Sequence, residues 1–271
     1  MTTTPATRAF EMSLDIDAPA DAVWQALTDA QHLESWFPLF SDVQPGAGGS
    51  ILLSWGSPWD GRCDIEIWEP SRHLRTRWPW GGAPGEPSPL TVDYYIESRG
   101  AGTRLRLVHS GFLQGADWDM EYNGVSSGWA FELRSLKHYV EHHRGSPRAV
   151  AWARVRTDTP RDKAWSRLFS KDALNVSPAL DNLKPGDPVN ISTNNDVDLK
   201  GKALIAQPPI QFAAALPALN NALFRVEAAV LPPAPGTLEV WAWVSLWGDA
   251  RAQARDLEAS LNQTLSRALA S

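Results

Sequence analysis

His109 is the residue of this chain best suited to acid–base chemistry, because an imidazole titrates near neutral pH. It closes the alternating run Gly102-Thr-Arg-Leu-Arg-Leu-Val-His109 and shares a face with Leu105 and Leu107. Tyr94 and Cys63 are the residues placed to assist it. No nearby carboxylate is evident to orient the ring, which favours a neutral, hydrogen-bonded or ligand-contacting histidine over a catalytic one. Cys63 lies among isoleucines on a strand face, the setting of an inert buried thiol. His138 and His142 are four apart on a helix, with His143 and Glu141 beside them, a spacing that can hold a metal. Cations are also favoured at a helix C-terminus, which explains the cluster without one. Asp196-Val-Asp198 followed by Gly201 lacks the final glutamate of a calcium loop. Neither a Gly-x-Ser-x-Gly elbow nor a nucleotide loop occurs, so no catalytic residue, metal or cofactor is expected, with His109 the single weak catalytic candidate.

Binding is the stronger signal. The chain has 14 tryptophans, nine of them before residue 146. Strand alternation sets Leu74, Thr76, Trp78 and Trp80 on one face, and Val92, Tyr94 and Ile96 on another. Ile51, Leu53 and Trp55, with Cys63, Ile65 and Ile67, complete an inward lining. Trp129, Leu133, Leu136 and Val140 form the apolar face of a helix predicted over 126–142. Phe112 and Trp118 come from the loop before it. Aromatic walls with a few polar tips are the composition of a small-molecule pocket.

The elements that must position these residues occur twice. Asp17-Ala-Pro19-Ala-Asp21-Ala-Val-Trp24-Gln-Ala-Leu27 recurs as Asp158-Thr-Pro160-Arg-Asp162-Lys-Ala-Trp165-Ser-Arg-Leu168. Pro45-Gly46, Ile51 and Gly61 recur as Pro185-Gly186, Ile191 and Gly201, and Gly102-Thr103 as Gly236-Thr237. Each unit reads as a strand, a Pro-initiated helix, a meander of strands and a long closing helix, the second over 249–269. A second short helix is predicted over 31–36 in the first unit. This is an α+β architecture: two tandem helix-grip domains, each a curved antiparallel sheet wrapped around its C-terminal helix. The boundary falls in His142-His-Arg-Gly-Ser-Pro147, giving domains at 8–144 and 148–271. The repeat shifts replace Trp55 by Asn195, Trp78 by Leu216, Trp80 by Ala218, Tyr94 by Ala228 and His109 by Trp243. The second domain is therefore expected to be mainly structural, packing on the first.

The run Leu14-Asp-Ile-Asp-Ala-Pro19…Val23-Trp24…Ala26-Leu27-Thr28…Trp36-Phe37-Pro38 resembles the opening of the SRPBCC (START/Bet v 1-like) superfamily. Within it the chain is similar to the branch named for the C-terminal domain of the activator of Hsp90 ATPase. Gly102 to Phe112 and the Trp129…Leu133…Leu136 helix fit that branch too. The resemblance implies the helix-grip fold, with Trp36, Phe37 and Phe40 at the cavity mouth. It also implies binding of lipids, sterols or polyketide-like molecules, with cyclisation or hydrolysis in a few members. The leading expectation is a binding protein for an apolar or aromatic small molecule. The alternatives are a cyclase or hydrolase using His109, and an Hsp90-type interaction module.

Residues 1–145 hold 11 Lys+Arg against 19 Asp+Glu, and 146–271 hold 14 against 12. Neither half has a basic stripe, which argues against nucleic acid as a partner. The opposite signs, −8 and +2, favour intramolecular packing of the two domains. The single cysteine needs no oxidising compartment, no apolar run spans a membrane, and the polar N-terminus is not a secretory signal. A cytoplasmic location is expected.

Overall fold

The computed structural model describes residues 7–56, 60–78, 90–193, 198–230 and 237–270. The chain divides between Pro147 and Arg148 into two compact units. In the first, the elements are β1 (Arg8–Ile16), α1 (Ala20–Thr28), α2 (Ala30–Glu34), β2 (Phe40–Gln44), β3 (Ser50–Ser54), β4 (Asp60–Glu69), β5 (His73–Arg77), β6 (Thr91–Arg99), β7 (Gly102–Phe112) and α3 (Ala116–His142). Its antiparallel sheet runs β1-β7-β6-β5-β4-β3-β2, so β1 crosses the whole meander to pair with the last strand. Leu14 faces Leu105, Met12 faces Leu107 and Phe10 faces His109 across that pairing.

α1 starts one residue after Pro19, which stands at the cap itself, and ends where Asp29 caps α2 by accepting the His32 backbone N–H at 3.1 Å. α2 ends at Glu34, two residues short of the expected 31–36 segment, which leaves Trp36 and Phe37 free to turn inward. β2 is a strand without a sequence signal: it is short, polar and at the sheet edge. In β4 the register slips between Ile65 and Ile67, a bulge that turns Ile67 off the expected inward face. Trp68 then pairs with Leu74 and meets Trp24 edge-on, with centroids 5.0 Å apart.

α3 is ten residues longer at its start than expected. Asn123-Gly124-Val-Ser-Ser-Gly128 has poor helix propensity, so tertiary contacts hold this half. Phe112 packs on Trp118 and Tyr122 with centroids at 6.4 and 5.2 Å. Its second half is pinned by polar contacts. Ser135 donates to the Trp36 carbonyl at 2.9 Å, and the Tyr139 hydroxyl accepts the Gly145 N–H at 3.0 Å and is hydrogen-bonded with His32 Nδ1 at 2.8 Å. Glu141 accepts the Asp17 backbone N–H at 2.7 Å, tying the helix end to the β1–α1 corner.

The second unit comprises β8 (Arg148–Thr157), α4 (Arg161–Leu168), β9 (Leu174–Ser177), β10 (Pro188–Thr193), β11 (Asp198–Gln207), β12 (Gln211–Leu216), β13 (Ala222–Val230), β14 (Leu238–Trp247) and α5 (Ala254–Leu269). Its sheet order, β8-β14-β13-β12-β11-β10-β9, reproduces that of the first unit. Two antiparallel seven-stranded sheets, each with its own long closing helix, make the chain a tandem pair of helix-grip domains. Asp196 and Asn195 lie outside the described residues. A 3-10 segment, Gly248–Gln253, precedes α5, so that helix is shorter than the expected 249–269.

Two expected equivalences are overturned by register: Tyr94 pairs with Leu107 as Val226 pairs with Ala242, so Val226 and not Ala228 corresponds to Tyr94. Phe10 pairs with His109, and its repeat partner Ala151 pairs with Val244, so Val244 and not Trp243 corresponds to His109. Matching the glycine turns misplaced β14 by one residue, and a one-residue slip moves a side chain to the other face of the sheet. Trp243 instead packs against Trp152, centroids 5.3 Å apart. The second core sets small residues, Ala151, Ala153, Ala203, Ala214 and Ala242, beside Phe212, Phe224 and a set of leucines.

A Cβ added at Gly124 or Gly128 of α3 would meet nothing within 4 Å. Gly128→Ala is therefore expected to raise stability by about 0.5–1 kcal/mol, read as a shift of the urea midpoint.

Candidate functional site

Between the inward face of the first sheet and the α1–α2 segment with Trp36 and Phe37 lies a partly open void of about 20 Å³, as measured for the centre of a water-sized sphere. That is room for about one water molecule. Trp36, Phe37, Trp78 and Tyr94 supply its aromatic walls; Cys63, Thr76 and Tyr94 bring it its thiol and hydroxyl groups. Leu27 and Leu33, from α1 and α2, also reach it and carried no sequence signal for doing so, since helical spacing shows a buried face but not what that face touches.

The expected site residues sort into two linked clusters of rings. Around the void, Phe37 stacks on Trp36 at 4.8 Å and meets Trp55 edge-on at 5.0 Å. Trp36 donates its indole N–H to the Ala26 carbonyl at 2.8 Å, so its orientation is fixed from α1. Beside the void, His109 packs against Phe112 at 4.8 Å and Phe10 at 5.5 Å. Trp78 and Trp129 belong to both clusters: Trp129 lies 5.5 Å from Phe37 and 5.9 Å from Tyr94, and Trp78 lies 5.4 Å from His109. Leu133 is buried one turn further along α3.

Three expected residues fall elsewhere. Phe40 is 52% exposed, because the alternation of β2 turns Ser41 inward, where its hydroxyl donates to the Ala30 carbonyl. Phe112 ends β7 and Trp118 sits in the first turns of α3, so neither belongs to a loop, and Trp118 touches Phe112 without reaching the void. Trp80 lies outside the described residues.

Residues 17–141 match the family model described as Activator of Hsp90 ATPase homolog 1-like protein. The first domain belongs to that family. The match runs from the Asp17 turn to the end of α3 and so includes the whole lining of the void. A search of curated proteins finds no match. Among solved structures, protein MLL2253 from Mesorhizobium loti is 25% identical, over 50% of this chain and 98% of its own, with a TM-score of 0.44. The Aha1 dimer from Colwellia psychrerythraea is 21% identical, over 51% of this chain and 99% of its own, with a TM-score of 0.43. The di-domain ARO/CYC BexL from the BE-7585A biosynthetic pathway is 20% identical, over 97% of this chain and 96% of its own, with a TM-score of 0.45. No helix among the described residues is long and apolar enough to cross a membrane.

Within this Hsp90-activator-like domain, burial decides the chemistry. Desolvation pushes the Cys63 thiol up to about 12, with Asp64 adding to the shift, so it stays protonated and un-nucleophilic. Tyr94 is raised by the same cause and remains a neutral phenol. Glu121 on α3, not singled out by sequence, is a half-buried carboxyl whose desolvation raises its pKa. The paired carboxylate missing beside His109 exists on the other face of the sheet: Asp93, 2% exposed, takes His73 Nε2 at 2.6 Å and Arg75 Nε at 2.7 Å. His138 lies 4.8 Å from His142 and 5.3 Å from His143, ring to ring. Among the described residues no group of three His, Cys, Asp or Glu is placed to hold a metal.

His109 is fully buried, and desolvation lowers its pKa from 6.5 to about 3. Its Nδ1 accepts the Trp129 indole N–H at 3.1 Å, while Nε2 has no hydrogen-bond partner among the described residues. A buried donor or acceptor left this way costs about 1–3 kcal/mol. A ring that stays neutral down to about 3 is a weak proton acceptor at neutral pH, which tells against acid–base catalysis in this state. Its cross-strand partners are Phe10 and Val92, and the rings packed on it are those of Phe10, Trp78, Phe112 and Trp129; none of these is titratable.

Between pH 6.5 and about 3 the unfolded chain binds a proton at this position that the folded chain refuses. Stability present above pH 6.5 is therefore lost as pH falls, by roughly 1.4 kcal/mol per pH unit. His109→Gln keeps an acceptor for Trp129 and does not titrate. Urea midpoints measured from pH 7 to pH 4 should fall less steeply for this variant than for the wild type.

Proposed function

We propose that the first domain binds an apolar or aromatic small molecule at the void between its sheet and the α1–α2 segment, beside Trp129 of α3. The observation that carries this reading is the void itself: a gap in an otherwise close-packed interior, walled by aromatic rings and bordered by Cys63, Thr76 and Tyr94. As folded it is too small for such a ligand, so binding requires the rings around it to part. The surroundings suit that movement. Trp55 and Trp78 are only partly buried, and the N-terminal half of α3 carries two glycines with open space beside them. The second domain lacks these walls, with Leu216 and Val226 where the first has Trp78 and Tyr94, and its role in this reading is structural.

A hydrolase or cyclase working through His109 has less support. The ring is neutral, no carboxylate touches it, and the thiol and phenol near it are protonated.

Fluorene, a flat neutral hydrocarbon, serves as a first probe, read by quenching of tryptophan fluorescence. Saturable binding of about one molecule per chain is expected. Cys63→Leu adds carbon into the void and should weaken that binding at least about tenfold while urea unfolding shows a folded domain. Unchanged fluorescence with both fluorene and its ketone, fluorenone, at their solubility limits would overturn the reading, as would equal binding by Cys63→Leu.

A further inference from the structure

The tautomer of His109 follows from its one hydrogen bond. An indole N–H can only donate, so the Nδ1 that faces Trp129 at 3.1 Å carries no proton. The ring is neutral and has a single proton, which must therefore sit on Nε2. That N–H is buried, has no partner among the described residues, and is surrounded by the rings of Phe10, Trp78 and Phe112, which offer no oxygen acceptor. Native interiors satisfy nearly all of their buried polar groups, and an exception calls for an explanation.

Trp78 connects this orphan to the void. It lines the void and also packs on the His109 ring, so a ligand that enlarges the void by displacing Trp78 comes up against His109. We infer that the ligand of this domain is a neutral, flat, unsaturated molecule bearing a carbonyl oxygen, and that this oxygen accepts the Nε2–H of His109. The inference rests on the small-molecule reading above and specifies what that molecule must carry. A neutral oxygen is favoured over a carboxylate or phosphate because no cationic side chain among the described residues packs on His109, and an unpaired buried anion carries a large desolvation cost. The histidine is then a selecting donor. Its pairing is completed by ligands with a carbonyl and left open by the bare hydrocarbon.

A matched pair of probes tests this. Fluorenone and fluorene have the same flat outline and differ by one carbonyl oxygen. The full chain should bind fluorenone about tenfold or more tightly than fluorene, since one buried hydrogen bond of ordinary strength has that effect. In His109→Phe, which loses the acceptor for Trp129 as well, the ratio of the two affinities should fall to about one whatever the affinity for fluorene itself, with urea unfolding used to show that the variant is folded. Independently of any variant, nitrogen-15 NMR of the histidine rings should show the Nε2–H form for His109. That signal should shift with fluorenone and not with fluorene. Equal affinities in the wild type, a preference that survives in His109→Phe, or an Nδ1–H tautomer overturns the inference while leaving the cavity reading intact. Tighter binding of fluorene-9-carboxylate than of fluorenone overturns it in favour of an anion site. Failure of both neutral probes to bind removes the cavity reading, and this inference with it.

Discussion

The hydrogen bond from Trp129 to His109 is a buried polar link between the long helix and the sheet, set in the middle of an aromatic interior. It orients the indole that touches Phe37, Trp78 and Tyr94, and so sets the shape of the space those rings enclose. It also occupies one nitrogen of the imidazole and leaves the other with a proton and no partner. The helix reaches that position because polar contacts fix its far end, where Ser135, Tyr139 and Glu141 hold it to the corner formed by β1, α1 and α2. Geometry at the site thus depends on restraints three turns away.

Much of the fold was legible because its signals are periodic. Strand alternation placed Tyr94, His109, Cys63 and Thr76 inward, and the repeated strand–Pro–helix opening revealed two units. Such signals fail where periodicity breaks. The bulge after Ile65 reversed the face of Ile67, and a one-residue slip in matching the turns before β14 put Trp243 where Val244 belongs. Phe40 was misread for another reason: a large apolar residue beside Trp36 and Phe37 invites an inward reading, yet its strand buries Ser41 instead. The first half of α3 was invisible because its residues are poor helix formers, and rings distant in sequence hold it in place. Alternation also says which side chains face inward but not how tightly they fill the space, so the size of the void had no sequence signature.

The two domains show how little a shared topology constrains an interior. Strand order and the β1–β7 and β8–β14 pairings agree. Where one core places Thr76, Tyr94 and His109, the other places Ala214, Val226 and Val244, which need no hydrogen-bond partners and leave no imidazole to satisfy. Backbone pairing is indifferent to this choice, whereas the chemistry of the enclosed space depends wholly on it.

A void that holds about one water also governs timing. If the rings are closed for most of the time, the affinity measured for any guest is its intrinsic affinity scaled by the small open fraction. Entry and escape both wait on the same parting of Phe37, Trp55 and Trp78, so the domain would exchange its contents slowly even when it holds them weakly.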